Sequence, residues 1–212
     1  MEITSLKKYK GSTYEAELDG ERKIYLHIDI IADFGLRTGM KLERDELRKI
    51  IYASNFRRAY QYALYCLDYR DYSAEDMFAK LVKTYKNEKL CLAVVTKLAG
   101  AGVIDDRRYA EKLARRLVES KKYGYRRAKK ELLLKGLSDE VAEEALGQYR
   151  EIYGENLSEL LEKKHYRFLT DSSDKRSIEK VKSALVRYGY GFDEINSAVK
   201  AYFENAEQAE EC

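Results

Sequence analysis

The chain repeats one short pattern three times, and this repetition constrains the fold more than any other feature of the sequence. Leu81, Leu132 and Leu185 each occupy the same local frame, with an offset of 51 residues between the first two copies and 53 between the last two. A unit of this size cannot bury its apolar face alone, so neighbouring copies must stack. The pattern therefore predicts a mainly α protein, built as an elongated, curved array of tandem three-helix repeats.

Two further features share the register of the repeat. Asn87, Ser138 and Gly191 fall at equivalent positions and are residue types that suit a helix N-cap. The first helix of each copy carries an apolar stripe at helical spacing, which predicts one buried face. The stripe comprises Ala59, Tyr62, Ala63, Cys66 and Leu67 in the first copy, Ala110, Leu113, Ala114, Leu117 and Val118 in the second, and Leu161, Phe168 and Leu169 in the third.

The N-terminal segment has a different pattern from the rest of the chain. Apolar and polar residues alternate over 14–18 and again over 24–30, and Asp19-Gly20 separates these two runs. Asp-Gly between alternating runs is a strong signal for a β-hairpin. We expect a β-hairpin plus helix at residues 1–52, followed by three-helix repeats at residues 53–104, 105–153 and 154–212. The last repeat ends in an acidic tail, which we expect to be frayed.

The net charge of +3 conceals an uneven distribution of charge along the chain. Residues 107–135 contain twelve Lys and Arg against three Glu, which gives a local net charge of +9. Residues 138–212 contain ten Lys and Arg against seventeen Asp and Glu, which gives a net charge of −7. The middle repeat is therefore basic and the last repeat is acidic.

The sequence offers no set of side chains typical of catalysis or of cofactor binding. Cys66, Cys91 and Cys212 lack the spacing of metal ligands, and Cys66 lies on an apolar stripe where burial is expected. His27 and His165 have no Cys or Asp at ligand spacing, and we interpret both as surface residues. No phosphate-binding loop of the Walker type occurs. We expect a binding protein that is not an enzyme and that uses no metal or other cofactor.

Asp105 and Asp106 form the one pair of carboxylates that resembles a catalytic or metal site. The pair stands directly before the helix predicted at residues 107–120. Acidic side chains at such a position bind the free backbone amides and suit the positive end of the helix dipole, so capping is the favoured interpretation. No apolar run is long enough to span a membrane, and we expect the chain to act in the cytoplasm without membrane contact.

The candidate binding surface is the basic stretch of the middle repeat. A solvated helix face usually carries both signs of charge, whereas here only Glu111, Glu119 and Glu131 interrupt the cations. Tyrosines among concentrated cations suit a polyanion, either nucleic acid or an acidic protein surface, and a plain solvated face is the alternative. The candidate residues are Arg107, Arg108, Lys112, Arg115, Arg116, Lys121, Lys122, Tyr123, Tyr125, Arg126, Arg127, Lys129 and Lys130.

Three groups of residues resemble the pattern of a known family. The run Gly102-Val103-Ile104-Asp105-Asp106-Arg107-Arg108-Tyr109-Ala110 resembles the G-x-I-D-D-x-R-Y/F-A signature of RecX-type regulatory proteins. The family's G…EL…KGI pattern is matched by Tyr123-Gly124, Glu131-Leu132 and Lys135-Gly136-Leu137. The start of the family's first repeat is matched by Ala63-Leu64, Leu67 and Tyr72-Ser73. The resemblance covers residues 55–203, and the N-terminal hairpin resembles an extension found in longer members.

The resemblance implies a regulator of the RecA recombinase. Members of this family bind the RecA filament on DNA, lodge in its helical groove and usually inhibit ATP hydrolysis, strand exchange and co-protease activity in DNA repair. The implied partners are the RecA filament and single- or double-stranded DNA, contacted directly or through RecA. We expect the chain to be a monomer. The alternative function is a stand-alone nucleic-acid-binding helical repeat protein.

Overall fold

The computed structural model describes residues 1–210, which form a small antiparallel sheet followed by helices. The strands are β1 (Ile3–Lys10), β2 (Thr13–Leu18) and β3 (Arg22–His27). The helices are α1 (Ile28–Asp33), α2 (Arg44–Tyr69), α3 (Ala74–Tyr85), α4 (Glu88–Gly100), α5 (Asp106–Arg115), α6 (Tyr125–Leu133), α7 (Asp139–Gly147), α8 (Ile152–Leu160), α9 (Lys175–Tyr188) and α10 (Phe192–Glu210). The predicted class, mainly α with a small N-terminal β element, is confirmed.

The described chain forms two compact units. The first comprises residues 1–70 and 77–101, and the second comprises residues 71–76 and the described residues from 102 to 210. Short irregular helical turns extend two helices of the second unit. A π-helical turn, Arg116–Ser120, follows α5, and a second, Leu161–His165, follows α8 and leads into a 3₁₀ turn at Tyr166–Phe168. The predicted helix at 107–120 is therefore α5 together with its π-helical turn.

The N-terminal sheet contains the predicted hairpin and one strand more. Asp19 and Gly20 link β2 to β3 with positive φ angles of 52° and 78°, the backbone that an Asp-Gly turn favours. Strand β1 lacks a regular alternation because its pairing with β2 shifts register near Ser5 and near Lys10, and bulges of this kind disrupt the two-residue period. The expectation that the alternating run continues as strand to residue 30 is wrong, since His27 ends β3 and caps helix α1.

Each predicted repeat contains three helices, α2–α4, α5–α7 and α8–α10. Leu81, Leu132 and Leu185 are each 0% exposed, which confirms that the repeated leucine is a core residue in all three copies. Helix α2 crosses the proposed boundary between residues 52 and 53 without a break, because its 26 residues begin at Arg44 and end at Tyr69. The domain boundaries remain a prediction.

The helix caps follow the predicted register. The Asn87 side chain accepts a hydrogen bond from the backbone N–H of Leu90 at 3.1 Å, and the Ser138 hydroxyl accepts one from Val141 at 3.3 Å. Gly191 directly precedes α10, and its carbonyl accepts the backbone N–H of Ile195 at 3.0 Å. Equivalent positions in the sequence therefore begin the third helix of each repeat.

The first helix of the third repeat departs from its predicted burial. Leu161 and Leu169 are buried as expected, but Phe168 is 55% exposed, so its placement on the buried face was wrong. His165 is only 8% exposed, so its interpretation as a surface residue was also wrong. The irregular turns that follow α8 change the number of residues per turn, which rotates Phe168 away from the apolar stripe.

Cys66 and Cys91 are buried, as predicted for Cys66, while Cys212 lies outside the described residues. Helix α10 continues to Glu210, so the segment from 204 is helical as far as residue 210, and the last two residues of the predicted tail lie outside the description. Within residues 1–210, no helix combines the length and the apolar character needed to cross a bilayer.

Burial of His165 predicts a specific dependence of stability on pH. Desolvation lowers the pKa of its imidazole below the ordinary value of 6.5, so the folded chain holds this ring neutral. As pH falls through about 6.5, the unfolded chain binds a proton there and the folded chain does not, and the free energy of unfolding decreases. Urea unfolding between about pH 7.5 and 5.5 should show this loss, and His165→Leu should show less of it. Identical pH profiles for the two proteins would contradict the assignment.

Candidate nucleic-acid interface

The paired carboxylates at the start of α5 are capping groups. Asp105 accepts a hydrogen bond from the backbone N–H of Arg108 at 3.0 Å, and Asp106 accepts one from the backbone N–H of Ala74 at 2.9 Å. The predicted capping role is confirmed for Asp105, while Asp106 binds the first residue of α3. Across residues 1–210, no three His, Cys, Asp or Glu side chains are grouped as metal ligands.

The thirteen candidate residues follow one path along α5, its π-helical turn, the loop at 121–124 and α6. Their helices are amphipathic: Ala110, Leu113 and Ala128 bury the opposite faces in the core of the repeat. None of the thirteen is buried, so all of them have side chains accessible to a partner in some degree. The eleven cations among them divide into five that pair with carboxylates, five that have no ion pair, and Arg127, which lies over a tyrosine ring and forms a long ion pair.

Carboxylates neutralise five of the predicted cations. Lys129 is the strongest case, since its ammonium lies 2.7 Å from Glu143 and 2.9 Å from Asp139, and these contacts raise its pKa far above the ordinary value. The other pairs are Arg107–Glu144 at 3.4 Å, Lys112–Asp71 at 3.2 Å, Arg115–Glu119 at 3.8 Å and Lys122–Glu159 at 2.8 Å. These side chains contribute little net positive field, because each has a carboxylate beside it.

Five other cations have no ion pair within 4.0 Å among the described residues, namely Arg108, Arg116, Lys121, Arg126 and Lys130. Arg126 and Lys130 lie one turn apart on α6, on a face where the apolar side chains of Leu133 and Leu134 are 41% and 66% exposed. We call Arg108, Arg116, Lys121, Arg126 and Lys130 the unpaired cations. They carry the positive charge of the basic stretch that remains available to a polyanion.

The last predicted cation and the two tyrosines contact rings. The Arg127 guanidinium lies 3.9 Å from the centre of the Tyr123 ring, while its ion pair with Glu131 is long, at 4.0 Å. The Tyr125 ring is 39% exposed and meets Tyr153 edge to face, with ring centres 6.3 Å apart. A cation over a ring contributes its full positive charge to the surface, whereas a cation paired with a carboxylate remains charged but forms a pair with no net charge.

Backbone contacts with the third repeat fix the start of α6. The N–H of Gly124 donates to the Tyr188 carbonyl at 2.9 Å, and the N–H of Arg126 donates to the Gly189 carbonyl at 3.2 Å. The Arg127 guanidinium donates to the Arg187 carbonyl at 2.8 Å. The free amides of one helix N-terminus therefore bind the free carbonyls of another helix C-terminus, and the two dipoles attract. This contact holds the basic side chains of α6 at one position within the second unit.

A groove of about 920 Å³ opens beside Tyr125 on the second unit. Its floor is apolar, with Leu146, Leu157 and Ala198, and Tyr153 forms part of its wall. Its two carboxylates already have partners, since Glu143 binds Lys129 and Glu194 accepts the N–H of Gly191 at 2.7 Å. Burial raises the pKa of Tyr153, which favours the neutral phenol. The groove therefore presents a mixed surface, since Arg150, Ser158 and Ser197 also line it, and its carboxylates are engaged in holding the fold.

Comparisons with known proteins agree on one family. A family model described as "RecX, second three-helix domain" matches residues 105–146, which span α5 to α7. The regulatory protein RecX of Clostridium acetobutylicum is 28% identical over 200 residues, which cover 92% of each chain. The protein of the same name from Geobacillus kaustophilus is 27% identical over 194 residues, which cover 91% of this chain and 72% of the relative. These relatives are named as regulatory proteins and not as enzymes.

Solved structures show a similar fold. A crystal structure of a regulatory protein RecX covers 94% of this chain with a TM-score of 0.74 and 23% sequence identity. The crystal structure of RecX from Lactobacillus salivarius covers 70% of this chain with a TM-score of 0.64 and 27% identity. The three-helix repeats therefore have counterparts in known structures.

Proposed function

We propose that this chain, which belongs to the RecX family of regulatory proteins, binds the RecA–DNA nucleoprotein filament and inhibits RecA. The observation that carries the proposal is the set of unpaired cations on α5, its π-helical turn, the following loop and α6, which lie within the segment 105–146 that matches the family's second three-helix domain. In this proposal the chain lies in the filament groove as a monomer, and it lowers ATP hydrolysis, strand exchange and co-protease activity in the cytoplasm.

Electrostatics supports a filament that contains DNA as the partner. Nucleic-acid phosphates present a high density of negative charge, and each one that a protein cation neutralises releases condensed counterions. The unpaired cations can make such contacts without first breaking an ion pair. Leu133 and Leu134, at the end of α6 near Arg126 and Lys130, add apolar surface of the kind that protein interfaces bury. The same face therefore suits a partner made of both DNA and protein.

The direct test is RecA-dependent ATP hydrolysis on single-stranded DNA, with this protein titrated into the reaction. We expect the hydrolysis rate to fall as the protein approaches the concentration of RecA. An unchanged rate at a molar excess of the protein would contradict the proposed function.

Removing three unpaired cations should weaken inhibition of RecA. The variant Arg116→Gln/Arg126→Gln/Lys130→Gln removes charges that have no carboxylate partner. These side chains can bind the filament without first breaking an ion pair, so each removal lowers the affinity by the full contribution of its contact. We expect the concentration for half inhibition to rise at least about tenfold, since a charge-assisted hydrogen bond contributes about 1.5–3 kcal/mol. The measurement is the ATP hydrolysis titration at moderate salt.

The matched control removes three charges that are already paired. Arg107→Gln/Lys112→Gln/Arg115→Gln changes the net charge by the same amount, but its side chains bind Glu144, Asp71 and Glu119. We expect this control to inhibit RecA nearly as well as the parent protein. If both triple variants lose inhibition equally, only total charge matters, and the division into paired and unpaired cations is wrong.

A second candidate function, nucleic-acid binding without RecA, is favoured by the tyrosines that lie among the cations. Direct binding to duplex DNA should then weaken steeply with salt, by roughly 0.9 in log K per log unit of salt for each phosphate neutralised. Binding of this kind together with unchanged RecA activity would favour this candidate over the first.

A further inference from the structure

Two aromatic side chains of the third repeat are exposed where the sequence is locally basic. Tyr166 is 45% exposed and Phe168 is 55% exposed, and both lie on the 3₁₀ turn that follows α8. Lys164 and Arg167 adjoin them in sequence, and the Arg167 guanidinium lies 5.5 Å from the centre of the Tyr166 ring. Exposed rings that alternate with cations are the pattern of proteins that bind single-stranded nucleic acid.

Side-chain contacts connect Lys164, on the π-helical turn that directly precedes these aromatic residues, to the basic stretch of the second repeat. The Lys164 ammonium donates a hydrogen bond to the Tyr188 hydroxyl and lies 4.7 Å from the centre of that ring. The Tyr188 ring meets the Tyr123 ring edge to face, with centres 5.8 Å apart. Tyr123 in turn lies under Arg127 and 5.5 Å from the ammonium of Lys121. One continuous chain of contacts therefore joins Lys164 to Lys121 across the two repeats.

The cations in this series of contacts keep most of their net positive charge. Lys121, Arg127 and Lys164 contact tyrosine rings, and the only carboxylate that pairs with any of the three in the described residues is Glu131, 4.0 Å from Arg127. The neighbouring Lys122 and Lys163 differ, because both bind Glu159, at 2.8 and 3.0 Å. Rings hold the three cations close together without neutralising them, which makes the cluster a site for anions.

We propose that this surface binds single-stranded nucleic acid. We call it the junction surface, and it comprises Lys121, Tyr123, Arg127, Lys164, Tyr166, Phe168 and Tyr188. Tyr166 and Phe168 stack on unpaired bases, and Lys121, Arg127 and Lys164 bind the phosphates. A duplex does not fit this arrangement as well, because its bases are already stacked on each other and their faces are covered.

Three labelled oligomers of equal length, about 20 residues, separate stacking from phosphate binding. They are a thymidine single strand, an abasic single strand and a duplex, each titrated with the whole protein and followed by fluorescence anisotropy without RecA. We expect the thymidine strand to bind most tightly. Equal affinity for the thymidine and abasic strands would overturn the proposal, since an abasic strand offers phosphates but no bases. Tighter binding of the duplex would overturn it too.

Two variants locate the site. Tyr166→Ser/Phe168→Ser should weaken binding of the thymidine strand about a hundredfold, at about tenfold for each ring, and leave the abasic strand unaffected. Lys164→Gln should weaken both strands and lower the salt slope by about 0.7, the value for one phosphate of a single strand. Parent-like affinity of the double serine variant for the thymidine strand would refute the stacking role.

The matched control is Tyr65→Ser/Tyr69→Ser, which removes two rings that are 57% and 73% exposed on α2, in the other compact unit. We expect this control to bind the thymidine strand as the parent does, and an equal loss in both serine variants would exclude a localised site. Circular dichroism of each variant verifies folding. The inference does not depend on the RecA role, because a protein that binds the strand but leaves RecA unaffected would retain the junction surface and refute only the proposed function.

Discussion

Leu132→Ala is expected to lower the free energy of unfolding by about 2–5 kcal/mol, the range measured for a buried leucine cut back to alanine. Leu132 is 0% exposed and packs in the core of the second repeat with Ala110, Leu117 and Leu146. Helices α5, α6 and α7 all contribute to that core, so the cavity left by the substitution has walls from three elements and cannot collapse by moving one of them. Urea unfolding followed by circular dichroism measures the change.

The adjacent residue provides the control for this prediction. Leu133 has the same side chain on the same helix but is 41% exposed. Leu133→Ala therefore removes the same atoms from a position that water already reaches, and we expect a loss well under about 1 kcal/mol. A loss for Leu132→Ala no larger than that of Leu133→Ala would mean that the repeated leucine does not form the core.

The sequence predicts the helical repeats well because their determinants are local. Leu81, Leu132 and Leu185 keep one register, and caps such as Asn87 and Ser138 act on amides only three residues away. The π-helical and 3₁₀ turns after α8 leave no comparable trace in the pattern. The same apolar stripe that correctly marked the first helices therefore assigned Phe168 to the core, and the polar nature of His165 concealed its burial.

The candidate site was only partly predictable, because the available charge of a cation depends on distant partners. Lys112 is paired with Asp71, which lies 41 residues earlier in the chain. Lys129 is paired with Asp139 and Glu143 on the next helix. A count of the charges near it in the sequence therefore overstates the net positive charge that it presents to a partner. Lys164 is absent from the predicted set for a related reason. The third repeat has a net negative charge as a whole, and this average conceals the cations of its 3₁₀ and π-helical turns.

Gly189→Ala is expected to lower the free energy of unfolding by about 2–5 kcal/mol through two separate costs. The first is backbone strain, since Gly189 ends α9 with φ at +97°, a conformation that L-residues avoid. The second is close contact. An alanine Cβ would lie 2.5 Å from the backbone nitrogen of Arg127 and against its Cβ, in the place where the Gly189 carbonyl accepts the N–H of Arg126.

Gly102→Ala separates these two costs. Gly102 also has a positive φ, +68°, but a Cβ there would meet no atom within 4 Å, so only the strain of about 1–2 kcal/mol applies. The difference between the two variants in urea unfolding measures how closely the end of α9 packs on the start of α6. Because that contact also holds Arg127 and Tyr188 together, Gly189→Ala should weaken binding of a thymidine single strand at temperatures where the chain is still folded, and Gly102→Ala should not. Equal losses of stability in the two variants would show that the α6–α9 contact is loose and that Gly189 serves only as a turn.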